Sequence, residues 1–368
     1  MTGRDMSLLI LRPEDHSGLL QMREGIEAMR AALVDFASSP VVLSNPRTRT
    51  NTPDGFRMTV HQGVTPAVQA ACTHARAERV QVLPDGRQRY EARGHPTFVL
   101  FDTETAALRM VMTGEPRPPG LEDVNTIAGF QTACMAVVGT EAMASPAASV
   151  IGVLGSGGQA TLHLEGLAAV RDISEVVVYS TTPKNREAFA ERMQHRLGVP
   201  VRAVDDGQEV VRRAELLLVC TNSNEPVLDG SELQDGTHVT SVVHSNKEML
   251  RAGLIDKMRQ ELDDETLLRA AMIGTTGRVQ EELDEPEVLY GMSQRGLFAW
   301  DDVVEVGDIL AGKVDIDPVH RERGITVFHN PGGWGIGAAA FIKSYYDRAV
   351  EAGVGVVVDG VDGLEPGY

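Results

Sequence analysis

The sequence predicts an α/β protein of two domains, the first mostly antiparallel and the second a doubly wound parallel sheet. Three observations carry this expectation. The chain has 368 residues, 42% hydrophobic and 23% charged, which is the composition of a soluble globular protein at a length that suits two domains. Short strand-like runs separated by turn residues fill much of the first 120 or so residues. From about residue 148, apolar runs of strand length alternate with helical segments, the pattern of a parallel sheet.

Residues 18–38 read as an amphipathic helix, with Leu19, Met22, Ile26, Met29, Ala32 and Leu33 at helical spacing. The turn-rich stretch SNPRTRTNTPDG (44–55) follows and carries Arg47 and Arg49. FRMTVH, RVQVL and TFVLFD read as strands, and a Pro-Asp-Gly turn at 84–86 predicts a hairpin. PRPPGLED, from residue 116, breaks regular structure. Residues 124–144 read as a helix rich in Ala, Met and Val. SVIGVLG, EVVVYS, VRAV, LLLVCTN and HVTSVV then read as strands between helices. The acidic run EELDEPE (281–287) reads as a solvated face. WDDVVEVGDILAGK (300–313) reads as a helix ending at Gly312, ITVFHN as a strand, and 335–352 as a closing helix. The Gly- and Asp-rich tail reads as a loose end.

Composition excludes several functions. A net charge of −18 argues against nucleic acid or an anionic membrane as partner. No run approaches the ~18 apolar residues of a membrane span. The N-terminal MSLLIL is too short for a signal-peptide core. Cys72, Cys134 and Cys220 form no CxxC pair and no zinc spacing. They read as reduced thiols of a cytoplasmic protein with no metal site. All five lysines (Lys184, Lys247, Lys257, Lys313, Lys343) lie in the second half. Nothing in the first half can act as a lysine base or form a Schiff base.

The strongest motif is Val153-Leu154-Gly155-Ser156-Gly157-Gly158-Gln159-Ala160. It fits G-x-G-x-x-A between a strand and a helix. Gly155 permits the tight turn, Gly157 lets backbone approach a pyrophosphate, and Ala160 lets the helix pack closely. The helix N-terminus adds N–H groups and partial positive charge. A second strand about 20 residues on completes a Rossmann-like dinucleotide site. NAD readers place an acid at the end of that second strand. Here the text is Tyr179-Ser180-Thr181-Thr182-Pro183-Lys184-Asn185-Arg186. Hydroxyls and two cations suit a 2′-phosphate, so NADP is expected, with NAD the alternative.

A set of motifs in order now resembles the ornithine cyclodeaminase/mu-crystallin family over about residues 15–350. The set comprises GEP before a helix with QTAC (131–134), then VLGSGGQA through HLEGL (153–167), and VVVYSTTPKNREAFA (176–190). VCTNSNEPVLDG (219–230), DGTHVTSV (235–242), WDDVVEVGDILAGK and ITVFHNPGGWGIG (325–337) complete it. Members with an early H-x-G-x-x-P match best, here His61-Gln62-Gly63-Val64-Thr65-Pro66. The resemblance implies a discontinuous α+β substrate and dimerisation domain, residues 1–125 with 320–352. It also implies a central Rossmann NAD(P)-binding domain at 126–319 and a tail at 353–368. It places the active site between the domains, with Thr221, Asn222 and Ser223 near the nicotinamide. It implies a homodimer and hydride transfer at a carbon bonded to nitrogen.

The chain departs from the family pattern at three functional positions. Gln131 stands where most members carry the Arg that binds a substrate carboxylate. The family's catalytic Lys has no counterpart, and the matching segment (66–79) offers His74, Arg76 and Glu78. Gly337 stands where the cyclodeaminase branch has Asp. The expected catalytic residues are therefore His74 and His61. The expected substrate contacts are Arg47, Arg49, Glu78, Gln131 and Trp334, with Arg47 and Arg49 sharing one face of an extended segment. The expected cofactor contacts are Gly155, Ser156, Gly157, Gly158, Gln159, Ala160, Ser180, Thr181, Thr182, Lys184, Arg186, Thr221, Asn222 and Ser223. The expected function is NAD(P)-dependent imine reduction or amine oxidation on a small amino-acid-like substrate. Alternatives are a catalytically idle NADP- and ligand-binding protein and an ornithine cyclodeaminase-like lyase.

Overall fold

The computed structural model describes residues 7–39, 41, 43–83, 88–126, 128–242, 250–253, 258–284, 289–316, 318–332 and 335–361. The chain divides into two compact units, Met1–Gln131 with Ala252–Ile255 and Gly333–Tyr368, and Thr132–Arg251 with Asp256–Gly332.

The first unit is built on strands β1 (Ser7–Leu11), β2 (Thr48–Asn51), β3 (Phe56–Thr65), β4 (Ala70–Val82), β5 (Gln88–Arg93), β6 (Thr97–Asp102) and β7 (Leu108–Thr113). With a closing strand, Val356–Asp359, they form one sheet. Its order is closing strand, β1, β7, β6, β4, β3, β2, with β5 also paired to β4. Pairing is antiparallel except between β1 and β7. Residues alternate between faces along a strand, and in β3 the buried set is Arg57, Thr59, His61, Gly63 and Thr65. The Pro-Asp-Gly turn at 84–86 lies outside the described residues, and the strands flanking it pair from Val82↔Gln88.

Two helices cover this sheet. Met22–Ser38 buries Ile26, Met29, Ala32 and Leu33 on one stripe and packs on Gly335–Ala352, which also packs on β3 and β4. The close approach is made by glycine. A Cβ on Gly63 would lie 2.1 Å from Ile336 N, and one on Gly335 would lie 1.9 Å from Gln62 O. Thr65 Oγ1 donates to Ile336 O at 2.9 Å. The H-x-G-x-x-P and G-G-W-G-I-G stretches therefore meet at a backbone contact.

The second unit holds β8 (Val150–Leu154), β9 (Glu175–Tyr179), β10 (Val201–Ala203), β11 (Leu216–Val219), β12 (His238–Ser241), β13 (Ala270–Thr275), β14 (Val304–Glu305) and β15 (Ile325–His329). All pairs are parallel, in the order β10-β9-β8-β11-β12-β15-β13-β14. The order reverses between β8 and β11. Such strands are buried on both faces, and Leu217, Val219, Val239 and Val327 are each fully buried in one cluster. His238 bridges Thr326 Oγ1 (2.7 Å) and Thr240 Oγ1 (3.0 Å). Thr140 on the Gly129–Met143 helix reaches the same Thr240 at 2.7 Å.

Four expectations change. ITVFHN belongs to the second unit, because β15 pairs between β12 and β13, so the first unit resumes at residue 333 and not at 320. The tail from 353 is not wholly loose, because Val356–Asp359 hydrogen-bonds along the open edge of β1. Residues 300–313 are not one helix. They form a 3-10 turn, β14 and the short helix Val306–Leu310, because Val304 and Glu305 extend to pair with Gly274 and Thr275. Glu281 in the acidic run is fully buried. All three cysteines are buried and outside any disulfide among the described residues, and no helix among the described residues is long and apolar enough to cross a membrane.

Gly63→Ala forces backbone against backbone, so it is expected to cost about 1–3 kcal/mol or to prevent folding, measured by urea unfolding. Burial pulls His163 down to about 4 and His238 to about 3. The unfolded chain takes up protons near the usual imidazole value of about 6.5 while the native chain does not. Stability should therefore fall as pH drops from about 6.5 toward 4. A melting temperature that stays flat across that window would contradict this.

Candidate functional site

The glycine turn sits where the strand order of the second unit reverses, the position at which doubly wound sheets bind ligands. Its two key glycines have different causes. Gly155 has φ +112°, and a Cβ there would lie 2.3 Å from the Cys220 carbonyl oxygen. Its N–H donates to Tyr179 O at 2.8 Å. Gly157 caps the Gly158–Ala168 helix with φ −88°, and a Cβ there would meet no atom within 4 Å. The fold does not need that glycine, and the space it leaves faces the helix N-terminus. Ala160 is fully buried. Ser156 Oγ donates to Ser180 Oγ at 2.9 Å, tying the turn to the end of β9. Gly158 and Gln159 open the helix and direct their first-turn amides toward that space.

At the end of β9, Thr181, Thr182 and Lys184 are exposed. Arg186 is not. Its guanidinium donates to Ser180 O at 3.0 Å, pairs with Asp205 and lies over the Tyr179 ring. Of the two expected cations, Arg186 shapes the loop and Lys184 is the exposed one.

The Thr221–Ser223 turn follows β11. Thr221 donates from both N and Oγ1 (2.7 Å) to Glu261 Oε1, and Ser241 Oγ donates to Oε2 at 2.9 Å. Ser223 Oγ donates to Glu225 O at 2.6 Å, and Asn222 is exposed. Glu261 is fully buried and joins the carboxyl ends of β11 and β12. Nothing in the sequence pattern distinguished it.

The first unit gathers most of the expected substrate residues on one sheet face. His61 and His74 are register partners, so their side chains project together. Their rings stack at 4.9 Å, and His74 also stacks on Phe98 at 4.3 Å. His74 is buried and its Nε2 has no hydrogen-bond partner. Burial, with His61 and Arg76 nearby, holds its pKa well below the usual imidazole value. Glu78 is committed to Arg57 and lies 3.7 Å from Arg93, so it is not a free carboxylate. Arg76 pairs with Glu115 of the GEP stretch, which also accepts from Ala128 N at 3.0 Å. Arg47 is buried, and Arg49 in β2 is partnered with Thr59 of β3. Gln131, at the start of its helix, has a buried Nε2 without a partner. Trp334 lies outside the described residues.

Residues 8–353 match the model of the ornithine cyclodeaminase/mu-crystallin family. The chain belongs to that family. Among family relatives, the Delta(1)-pyrroline-2-carboxylate reductase of Bacillus cereus is 26% identical over 352 residues, 95% of this chain and 98% of that protein. Mouse ketimine reductase mu-crystallin is 28% identical, covering 83% of this chain and 86% of its own length. The Thermococcus litoralis Delta(1)-pyrroline-2-carboxylate reductase, solved with NADH and L-proline, superposes with a TM-score of 0.77 at 23% identity. That match covers 95% of this chain and 99% of that one.

The two glycines should separate folding from binding. Gly157→Val is expected to leave the melting temperature unchanged and to weaken dinucleotide binding at least about tenfold, read by fluorescence titration. Gly155→Ala should lower the melting temperature itself, since it meets a fixed carbonyl at positive φ.

Proposed function

We propose that this family member is an NADP-dependent oxidoreductase of carbon–nitrogen bonds. It reduces the imine of a small amino-acid-like compound or, in reverse, oxidises the amine. The observation that carries the reading is the open space at Gly157, beside a helix N-terminus and at the reversal of strand order. Family relatives named as pyrroline-2-carboxylate and ketimine reductases favour the same chemistry.

When bound, the nicotinamide supplies or takes the hydride. The first-turn amides of Gly158 and Gln159 meet the pyrophosphate. Ser180, Thr181, Thr182 and Lys184 meet the adenosine ribose, and the lack of an acid at the end of β9 favours its 2′-phosphate. Thr221, Asn222 and Ser223 contact the nicotinamide half. Arg47 and Arg49 hold an anionic substrate group. His74 serves as a neutral hydrogen-bonding wall, because burial removes the charge that proton donation needs, and the His61 ring stacks on it. Gln131 Nε2 donates a hydrogen bond where most members place a guanidinium. The protein acts as a homodimer. Phe56, Met58 and Phe101 are each more than a third exposed on the other face of the first sheet, a surface suited to a second copy.

The reading is tested by titrating the purified protein with NADPH and NADH, then following cofactor absorbance across a panel of cyclic and acyclic imines. Substrate-dependent NADPH oxidation supports it. Tight binding with no oxidation across the panel favours the idle binding protein. Lys184→Glu is expected to weaken NADPH about tenfold or more and NADH little. Equal losses for both would end the NADP assignment.

A further inference from the structure

We infer that Asp205 and Arg186 set the cofactor preference of the adenosine site, with Asp205 occupying the place on the Arg186 guanidinium that the 2′-phosphate of NADP takes when it binds. The inference rests on the NADP reading above and deepens it, by naming a residue that competes with the phosphate.

Both residues lie at the carboxyl edge of the second sheet. Arg186 belongs to the Pro183–Leu197 helix, which follows β9. Asp205 follows β10, whose Ala203 is level with Val178 of β9. By the same register Asp205 stands opposite Ser180, one strand away. Ser180 is tied to the glycine turn through Ser156 Oγ at 2.9 Å, and Tyr179 O accepts from Gly155 N at 2.8 Å. The acid that NAD readers place at the end of the second strand is absent from β9 but present at the end of its neighbour.

The guanidinium is oriented without Asp205. One nitrogen donates to Ser180 O at 3.0 Å, and the group lies over the Tyr179 ring at 5.6 Å. Asp205 bonds the other terminal nitrogen. The two partners differ in exposure. The Arg186 side chain is 8% exposed and that of Asp205 is 97% exposed. The position of the bonded Asp205 oxygen is therefore reached from water, and the oxygen of another anion can take it. The next residue shows the contrast. Asp206 caps the Gly207–Arg213 helix, with one oxygen accepting from Gln208 N at 3.0 Å and the other from Arg212 at 3.1 Å. That acid serves the fold. Asp205 is not the cap, and an ion pair with one member in water holds weakly.

A phosphate monoester carries more charge than a carboxylate and three acceptor oxygens, which suits the parallel N–H groups of a guanidinium. NADP thus displaces Asp205 into the water that already surrounds it. Lys184, exposed at the start of the same helix, adds a second cation. NAD has a hydroxyl at that position and leaves the Asp205–Arg186 pair intact. Asp205 opposes NADP and is indifferent to NAD.

The test is fluorescence titration of the full chain with NADPH and with NADH. Asp205→Asn should tighten NADPH about threefold to tenfold and change NADH less than about twofold. Adding Arg186→Gln to Asp205→Asn should abolish the gain. An unchanged NADPH-to-NADH ratio in Asp205→Asn overturns the inference. So does a gain that survives in the double variant, since the acid would then act through its field alone. Weaker NADH binding in Asp205→Asn also overturns it, by making Asp205 a ribose ligand. Where Arg186→Gln fails to fold, a second measurement decides. In protein with ¹³C-labelled aspartate, the Asp205 carboxyl signal, assigned by its loss in Asp205→Asn, should move with NADPH and hold its place with NADH. Equal movement with both, or none with NADPH, overturns the exchange. If NADH binds and NADPH binds neither form, the inference falls and a NAD-dependent oxidoreductase stands. If neither dinucleotide binds, the functional reading itself falls and the inference falls with it.

Discussion

A guanidinium or carboxylate shut away from water costs several kcal/mol unless an opposite charge or hydrogen bonds answer it. Both units bury such groups. In the first, the β3–β4 register sets Arg57 opposite Glu78, and opposed residues project to the same side. Arg76 cannot use Glu78 in the same way and reaches Glu115, just past β7. The GEP stretch is thus held to the sheet by charge. In the second unit Glu261 does the equivalent work, drawing the turn after β11 and the end of β12 onto one carboxylate.

These pairings decide what the remaining polar groups can do. With Glu78 and Glu115 engaged, no carboxylate pairs with His74, and burial keeps its imidazole neutral. Among the described residues, the face around His74 therefore carries a neutral imidazole beside guanidinium groups that are already paired with carboxylates. The first unit also contains no lysine before residue 184. An oriented imidazole backed by a buried carboxylate occurs in the second unit, at the end of β15.

The glycine turn was legible because each residue's task is local. The strand end, the turn and the start of the helix all fall within the eight residues from Val153 to Ala160. The H-x-G-x-x-P and G-G-W-G-I-G stretches were legible as motifs, but their contact was not, since Thr65 and Ile336 are 271 positions apart. ITVFHN read correctly as a strand. Its membership of the second sheet depends on register with β12 and β13, which no local pattern encodes. Arg186 looked like a ligand cation because Asp205, which pairs with it, comes from a later part of the chain. Glu281 was hidden by its neighbours. In EELDEPE every acid reads as surface, yet the helix turns Glu281 inward onto His329 while Glu282 bonds Trp300.

One criterion separates residues that serve the fold from residues that serve a ligand. Gly155 is explained by the chain, because the Cys220 carbonyl fills the place of its missing Cβ. Glu261 is likewise explained, because both of its oxygens are answered by strand ends. Gly157 leaves space that no atom of the chain occupies, and Glu281 keeps a buried oxygen that no group of the chain satisfies. Only the unpartnered buried oxygen carries a free-energy cost, since open space at an exposed glycine strains nothing. They fall beside the helix N-terminus that opens at Gly157 and at the carboxyl end of β15. Both places lie at the carboxyl-end edge of the second sheet, the edge at which doubly wound folds bind ligands.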